Sequence, residues 1–170
     1  MELYEKTDCF FPHWNDFPDV GLYMDQVVEL VNKYLSDFPA FSGEDKQITS
    51  SMINNYVKSK AVPAPEKKRY TRVHLAYIMI ICTLKQTFSI SVIQSLIGNK
   101  TSEDEIRSMY NSFADHQQEA YSKAAADILS DYKNSENKRN IILNLVTDVN
   151  IRKNIAEVLS KENEQKETRL

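Results

Sequence analysis

Apolar positions recur at helical spacing along most of the chain, and the gaps between those recurrences divide it. Over residues 22–35, Leu22, Val27, Leu30, Val31, Tyr34 and Leu35 repeat with the period of a helix lying on a core. Asp19 or Gly21 is the expected cap and Pro39 the terminator, with 36–47 a loop turning at Ser42-Gly43. In the next helix Met52, Ile53, Tyr56 and Val57 share one arc. Ser50, Ser51, Asn54, Asn55 and Lys58 fall within roughly 140° of the other side. Thr49 is its expected N-cap, and it must stop before Val62-Pro63, because proline disfavours helical geometry in the residue before it.

Residues 61–72 form a turn stiffened by Pro63 and Pro65, after which Thr71 is expected to cap a helix over 72–87. That helix is apolar around most of its circumference, the pattern of a buried central helix. Ser89 or Ser91 caps a short helix closed by Gly98. From Ser102 a long amphipathic run carries Ile106, Met109, Tyr110, Phe113, Gln117, Ala120, Tyr121, Ala124, Ile128 and Tyr132 on one side, until residues 134–137 interrupt it. Ile141, Ile142, Leu145, Val146 and Val149 make a second run, and Ile155, Val158 and Leu159 a third. The pattern leaves open whether a break near Asn150 separates them. The charged tail from Lys161 is expected to fray. Residues 1–20 are irregular, with Phe10, Phe11, Trp14 and Phe17 among Pro12 and Pro18. They read as an arm laying its rings on a core, or else as a partner-binding arm.

Composition agrees with an all-α protein: 42% apolar residues are enough for a core, and only three glycines are present. The longest apolar run, residues 75–82, is far short of the ~18 needed to span a membrane. The N-terminal segment lacks the basic start and apolar stretch of a secretory signal, and Cys9 and Cys82 are too few for a disulfide framework. The expected compartment is therefore the cytoplasm. Charge changes the picture more. The chain's net −3 conceals a segment, 46–72, in which Lys46, Lys58, Lys60, Lys67, Lys68, Arg69 and Arg72 face Glu66 alone, a net +6. The first 45 residues carry ten acids against Lys6 and Lys33, a net −8.

Candidate chemistry is sparse. His13, His74 and His116 are scattered. Cys9 and His13 are four apart without further ligands, and Asp115-His116 falls on a solvated helix face. There is no glycine-rich phosphate loop, nucleophile elbow or paired-carboxylate motif, so the expectation is a non-enzyme without cofactor or metal. What remains is the constellation at 49–72. A helix meant for the major groove needs an outer face of amides and hydroxyls: Asn bonds adenine bidentately, and Ser and Thr reach bases or phosphates. A neighbouring basic turn neutralises phosphates and fixes register. Thr49, Ser50, Ser51, Asn54 and Asn55 suit the first task, and Lys58, Lys67, Lys68, Arg69 and Arg72 the second.

The order of these elements resembles the winged-helix DNA-binding domain of MerR-type regulators: a polar helix ending Tyr56-Val57-Lys58, a Pro-containing basic turn, then Tyr70-Thr71, Leu75, Ile78, Ile81, Leu84, Ser89-Ile90, Ile93 and Leu96. Asn54-Asn55-Tyr56 stands where that family has Arg-Tyr-Tyr, and Lys68-Arg69-Tyr70-Thr71 where its wing ends in an Arg-x-Tyr-Ser-like stretch. The resemblance implies that the second helix reads DNA and the wing contacts phosphate, adding Tyr56 and Tyr70 to the candidates. More closely, LYMDQV, ITSSMINNYVKSKAVPAPEKKRYTRVHLAY and LKQTFSISVIQSLI are similar to an uncharacterised bacterial domain-of-unknown-function family presumed to be transcriptional regulators.

The sequence thus predicts an all-α chain in three parts. An aromatic arm (1–20) precedes a MerR-like winged helix-turn-helix (21–98), in which a small β wing is allowed, and a helical C-terminal region (99–170) suited to dimerisation follows. Its expected role is sequence-specific double-stranded DNA binding as a homodimer in transcription regulation, with the effector unknown. The alternative is a protein-interaction adaptor on the same scaffold, binding through the arm or the 106–132 stripe.

Overall fold

The computed structural model describes residues 10–36, 38, 47–98, 102–134 and 136–167. Pro39, the Ser42-Gly43 turn, Lys46 and Cys9 of the Cys9–His13 pair lie outside them. A 3-10 turn at Trp14–Asp16 precedes six helices: α1 (Met24–Leu35), α2 (Ser50–Lys58), α3 (Arg72–Leu84), α4 (Ile90–Ile97), α5 (Glu103–Asn134) and α6 (Lys138–Glu167). The protein is all-α among the described residues. The small β wing that the resemblance allows is reduced to two isolated antiparallel bridges, Leu22–Tyr70 and Glu66–Arg69.

Every residue of α3 from His74 to Cys82 is buried, as a helix apolar all round must be, and α1, α4 and α5 pack around it. The helix stops at Leu84 rather than near Thr87, the amides of Thr87 and Phe88 both turning back to the Leu84 carbonyl. Burial pushes the Cys82 thiol up to about 12, which keeps it protonated and unreactive.

The arm is part of this core. Phe11, Trp14 and Phe17 are at most 1% exposed. Their rings meet α5 (Phe17–Tyr110 centroids 5.0 Å, Phe11–Phe113 5.7 Å) and Phe38 (Phe11–Phe38 5.6 Å). Side chains of α5 also satisfy the arm's backbone. Gln118 accepts from the Phe11 amide and Asn111 from the Trp14 amide, both at 2.9 Å, and the Tyr110 hydroxyl donates to the Pro12 carbonyl at 2.8 Å. Asp115, expected on a merely solvated face, bonds His13 at 2.8 Å.

Helix starts follow local chemistry, with one surprise. The Thr49 hydroxyl accepts from Met52 N–H, and Ser89 from Val92 N–H. Ser102 and Glu105 form a reciprocal capping box before α5. α1, however, is capped by neither Asp19 nor Gly21: its N-cap is Tyr23, whose amide donates to the Gln26 side chain at 2.9 Å. Gly21 has a steric role instead, since a Cβ there would sit 3.0 Å from Arg69 Cβ.

α6 runs unbroken through Asn150 and continues past Lys161 to Glu167, so the second and third apolar runs form one helix and the expected frayed tail is helical. At ~100° per residue, Ile142, Val146 and Val149 lie on one side and Ile151, Ile155 and Val158 roughly 180° away. Neither stripe faces the rest of the chain. The inward residues of the second half are Lys153, Ala156, Glu157 and Ser160, the last only 4% exposed and bonded through its hydroxyl to Ser95 of α4 at 2.8 Å.

Candidate functional site

The segment 47–72 is held at both ends. Ahead of α2, the Asn32 amide grips Ile48 on both sides of its backbone, accepting from its N–H at 2.8 Å and donating to its carbonyl at 2.9 Å. α2 then buries Ile53 and Tyr56 and half-buries Met52 and Val57, the arc its spacing requires. Past Lys58 the chain closes in a Schellman motif: Ala61 N–H reaches the Tyr56 carbonyl at 2.9 Å and Lys60 N–H the Val57 carbonyl at 3.0 Å. Lys60 occupies the left-handed position of that motif, φ 59°, where glycine is usual. Gln94 of α4 donates to the Ser59 carbonyl at 3.2 Å and braces the same end.

Thr49, Ser50, Ser51, Asn54, Asn55 and Lys58 are all exposed. Among the described residues, the side chains of Asn54 and Asn55 make no hydrogen bond, so their donors and acceptors all face solvent. The turn beyond reaches its tip at Lys67 and Lys68, with φ 47° and 61°, between the bridged Glu66 and Arg69. Two successive residues of positive φ inside an antiparallel bridge define a type I′ turn, which prefers Asn-Gly because other side chains crowd the backbone there. This chain places two exposed lysines at it. Lys58, Lys60, Lys67 and Lys68 form no ion pair among the described residues.

Four sequence-predicted site residues are placed otherwise. Tyr56 and Tyr70 are 6% and 4% exposed, and burial raises both phenols, Tyr56 to about 12. Their rings belong to the core and have no surface to offer a ligand. Arg69 stacks 3.6 Å over the Tyr23 ring and donates to the Gly21 carbonyl at 3.0 Å. Arg72 donates to the Phe17 carbonyl at 3.0 Å and approaches Asp19 at 3.6 Å. Arg69 thus ties the turn to the segment before α1, and Arg72 ties the start of α3 to the arm. Lys60, part of the basic segment but absent from the sequence-predicted set, joins the exposed cations.

His74 supports the turn from beneath. Its Nδ1 accepts from the Thr71 amide and lies 3.0 Å from the Thr71 hydroxyl, so Thr71 caps α3 through His74 rather than through its own side chain. The other nitrogen, Nε2, is sealed in without a well-formed hydrogen bond among the described residues, and the ring packs edge-on against Tyr70. Burial lowers the His74 pKa from its ordinary 6.5, outweighing the Ala64 carbonyl and the Glu66 carboxylate, which pull the other way. The sign follows from linkage: the unfolded chain takes up this proton first, so the stability is complete above about pH 6.5 and is lost as pH falls through the folded value. Urea midpoints should therefore drop between pH 7.5 and 5, by less in His74→Asn. An identical drop in the variant would remove His74 as the cause.

A family model described as Domain of unknown function (DUF1836) matches residues 12–123, from the arm to the middle of α5. No curated protein and no solved structure matches the chain.

Proposed function

Because the chain belongs to the DUF1836 family, whose description names no activity, we propose its function from its surface: sequence-specific binding of double-stranded DNA, in transcription regulation, through a winged-helix arrangement of α2 and the 61–70 turn. The carrying observation is the outer face of α2. A helix fixed at both ends presents Ser50, Ser51, Asn54 and Asn55, whose side chains have no hydrogen-bond partner among the described residues, and Lys58, Lys60, Lys67 and Lys68 lie at its end and along the turn without an ion pair among those residues. Water satisfies such a face in the free protein, and the face has the donor and acceptor set that reads base edges in a major groove about 12 Å wide. The lysines supply the phosphate contacts that position it. On this reading two copies bind two half-sites about one DNA turn apart, in the bacterial cytoplasm. Among the described residues no helix is long and apolar enough to cross a membrane. No catalytic role is proposed.

The adaptor alternative has less to stand on. The surfaces it would use, the aromatic arm and the 106–132 stripe, contribute Phe11, Trp14, Phe17, Ile106, Tyr110 and Ala114 to the core.

Selection of genomic fragments by the purified protein, followed by fluorescence anisotropy at several salt concentrations, tests the proposal. A shared, palindromic site should be enriched. Asn54→Ala and Asn55→Ala should each relax preference at an A·T position by ~1–3 kcal/mol while leaving non-specific affinity in place. No enrichment and no binding even at ~50 mM salt, where phosphate contacts are strongest, would overturn it.

A further inference from the structure

The basic turn is a strained segment fastened at few points. Its tip holds Lys67 and Lys68 at positive φ, a conformation that side chains other than glycine resist. The Leu22–Tyr70 bridge, two backbone hydrogen bonds of 2.8 and 2.9 Å, ties its far end to the segment before α1. The next bond along goes to a side chain, the Thr71 amide donating to Nδ1 of His74 at 3.0 Å. An amide N–H only donates, so Nδ1 carries a lone pair there. The single proton of the neutral ring then sits on Nε2, towards the Ala64 carbonyl. A second proton can go only to Nδ1, where it sets two donors against each other across 3.0 Å. The Thr71 hydroxyl can rotate to accept from it, but the amide cannot. We infer that His74 is a proton-operated latch: the neutral ring holds Thr71 and with it the basic turn, and the charged ring releases both while the helical core stays folded.

The surroundings of the ring explain why the turn gives way and not the core. His74 is 7% exposed, and what it touches with polar or ring contacts belongs to the turn: the Ala64 carbonyl, the Glu66 carboxylate, the Tyr70 ring and Thr71. The charged ring would join a stretch that already carries Lys67, Lys68, Arg69 and Arg72 against Glu66 alone. The other packed elements offer it no free counter-charge. Asp19 before α1 and Glu103 at the start of α5 line one cleft with Thr71 and Arg72, but Arg72 and Arg107 engage them at 3.6 and 3.4 Å. Asp25, Glu29 and Lys33 of α1 are exposed, and α4 has no ionisable side chain. Lifting the turn hydrates the imidazolium for the loss of the Thr71 bond and the bridge. Unfolding the core to the same end would forfeit the whole stability of the domain, so the local opening is the lower route.

The test is amide hydrogen exchange of the full chain, followed by NMR at pH 7.5 and pH 5 without DNA and corrected for the intrinsic effect of pH on exchange. A released imidazole regains its ordinary pKa of 6.5, so acid draws the equilibrium towards the open turn by roughly 5–30-fold over this range. Protection of the Leu22, Tyr70 and Thr71 amides should fall by that factor. Their exchange should be insensitive to low urea, because the opening exposes little surface, while the Ile78 and Ile81 amides inside α3 keep the steep urea dependence of global unfolding. His74→Gln keeps a side-chain oxygen in the Thr-x-x-Gln pattern of a capping box and cannot take up the proton, so its turn should be equally protected at both pH values. Nitrogen-15 shifts of the wild-type ring should place the neutral proton on Nε2, a readout that stands even where the variant fails to fold. A neutral proton on Nδ1, a change in turn protection below about twofold, turn amides that share the urea dependence of α3, or an acid response kept by His74→Gln would overturn the inference. No DNA enters the test, so the latch and the DNA reading fail separately; where both hold, affinity for DNA falls in acid along with the turn's protection.

Discussion

Trp14→Ala should cost about 3–5 kcal/mol, the largest stability loss expected of any single change outside α3. The side chain is fully buried, with Phe11 and Phe17 beside it in the sequence and in the core, and truncation would leave a cavity that the tethered arm is poorly able to collapse. Against a total of about 5–15 kcal/mol for a typical domain, this is a fifth or more of the whole. In thermal melts it corresponds to a fall of roughly 10–15 °C for a chain of this size. The control is Trp14→Phe. The indole N–H is buried without a partner among the described residues, so removing it while keeping a ring should cost far less than truncation. A Trp14→Ala loss below ~1 kcal/mol would mean that the arm is an appendage and not part of the core.

Replacing the turn tip by its preferred residues, Lys67→Asn with Lys68→Gly, should separate stability from binding. Holding an L-residue in the left-handed region costs ~1–2 kcal/mol; glycine at 68 removes that cost, and asparagine at 67 lessens it. The extra freedom that glycine gives the unfolded chain returns ~0.5–1 kcal/mol, so the net effect is a stabilisation of about 1 kcal/mol. Binding should move the opposite way. If each lysine neutralises one phosphate, affinity at physiological salt falls roughly 10-fold, and the slope of log K against log salt shrinks by ~2. The fall should be the same on specific and random DNA, in contrast to the asparagine variants. Unchanged affinity at low salt would detach the tip from DNA, and a loss of stability would show that the lysines hold the turn for some other reason.

What the sequence made legible was local. Period and caps located α2, its buried arc and its Thr49 cap, because a hydroxyl before a polar-faced helix has few other uses. The unbroken apolar circumference placed α3 at the centre. Tyr56 is instructive: spacing put it on the buried arc, while resemblance to a winged helix put it among the DNA contacts, and in the fold it is buried. Periodicity, which reports geometry, outranked motif position there. Arg69 and Arg72 were illegible for a different reason. Their partners, Gly21, Tyr23, Phe17 and Asp19, are about fifty residues away, and three of the contacts use carbonyls or a ring that carry no charge signature. The α1 cap misled because the Gln26 side-chain oxygen, reaching back from the first turn, accepts from the amide of the N-cap Tyr23. In α6 the apolar pattern changes side at Asn150, which in sequence looks like a break. Only the backbone reveals that the helix continues and that the pattern itself shifts.

The fastening of the arm to α5 also sets an order of synthesis. The Tyr110 hydroxyl that holds Pro12 lies 98 residues downstream, and at ~5–20 residues per second a ribosome takes about 5–20 s to deliver it. For that interval the rings of Phe11, Trp14 and Phe17 have no partner on α5, and α3 lacks one of its three covering helices. The emerging chain thus carries its most apolar surfaces uncovered until well past α4, the period in which a nascent protein is most exposed to chaperones and to aggregation. A stop or pause before codon 118 would strand it there, with the 47–72 segment complete in sequence and its supporting core still open.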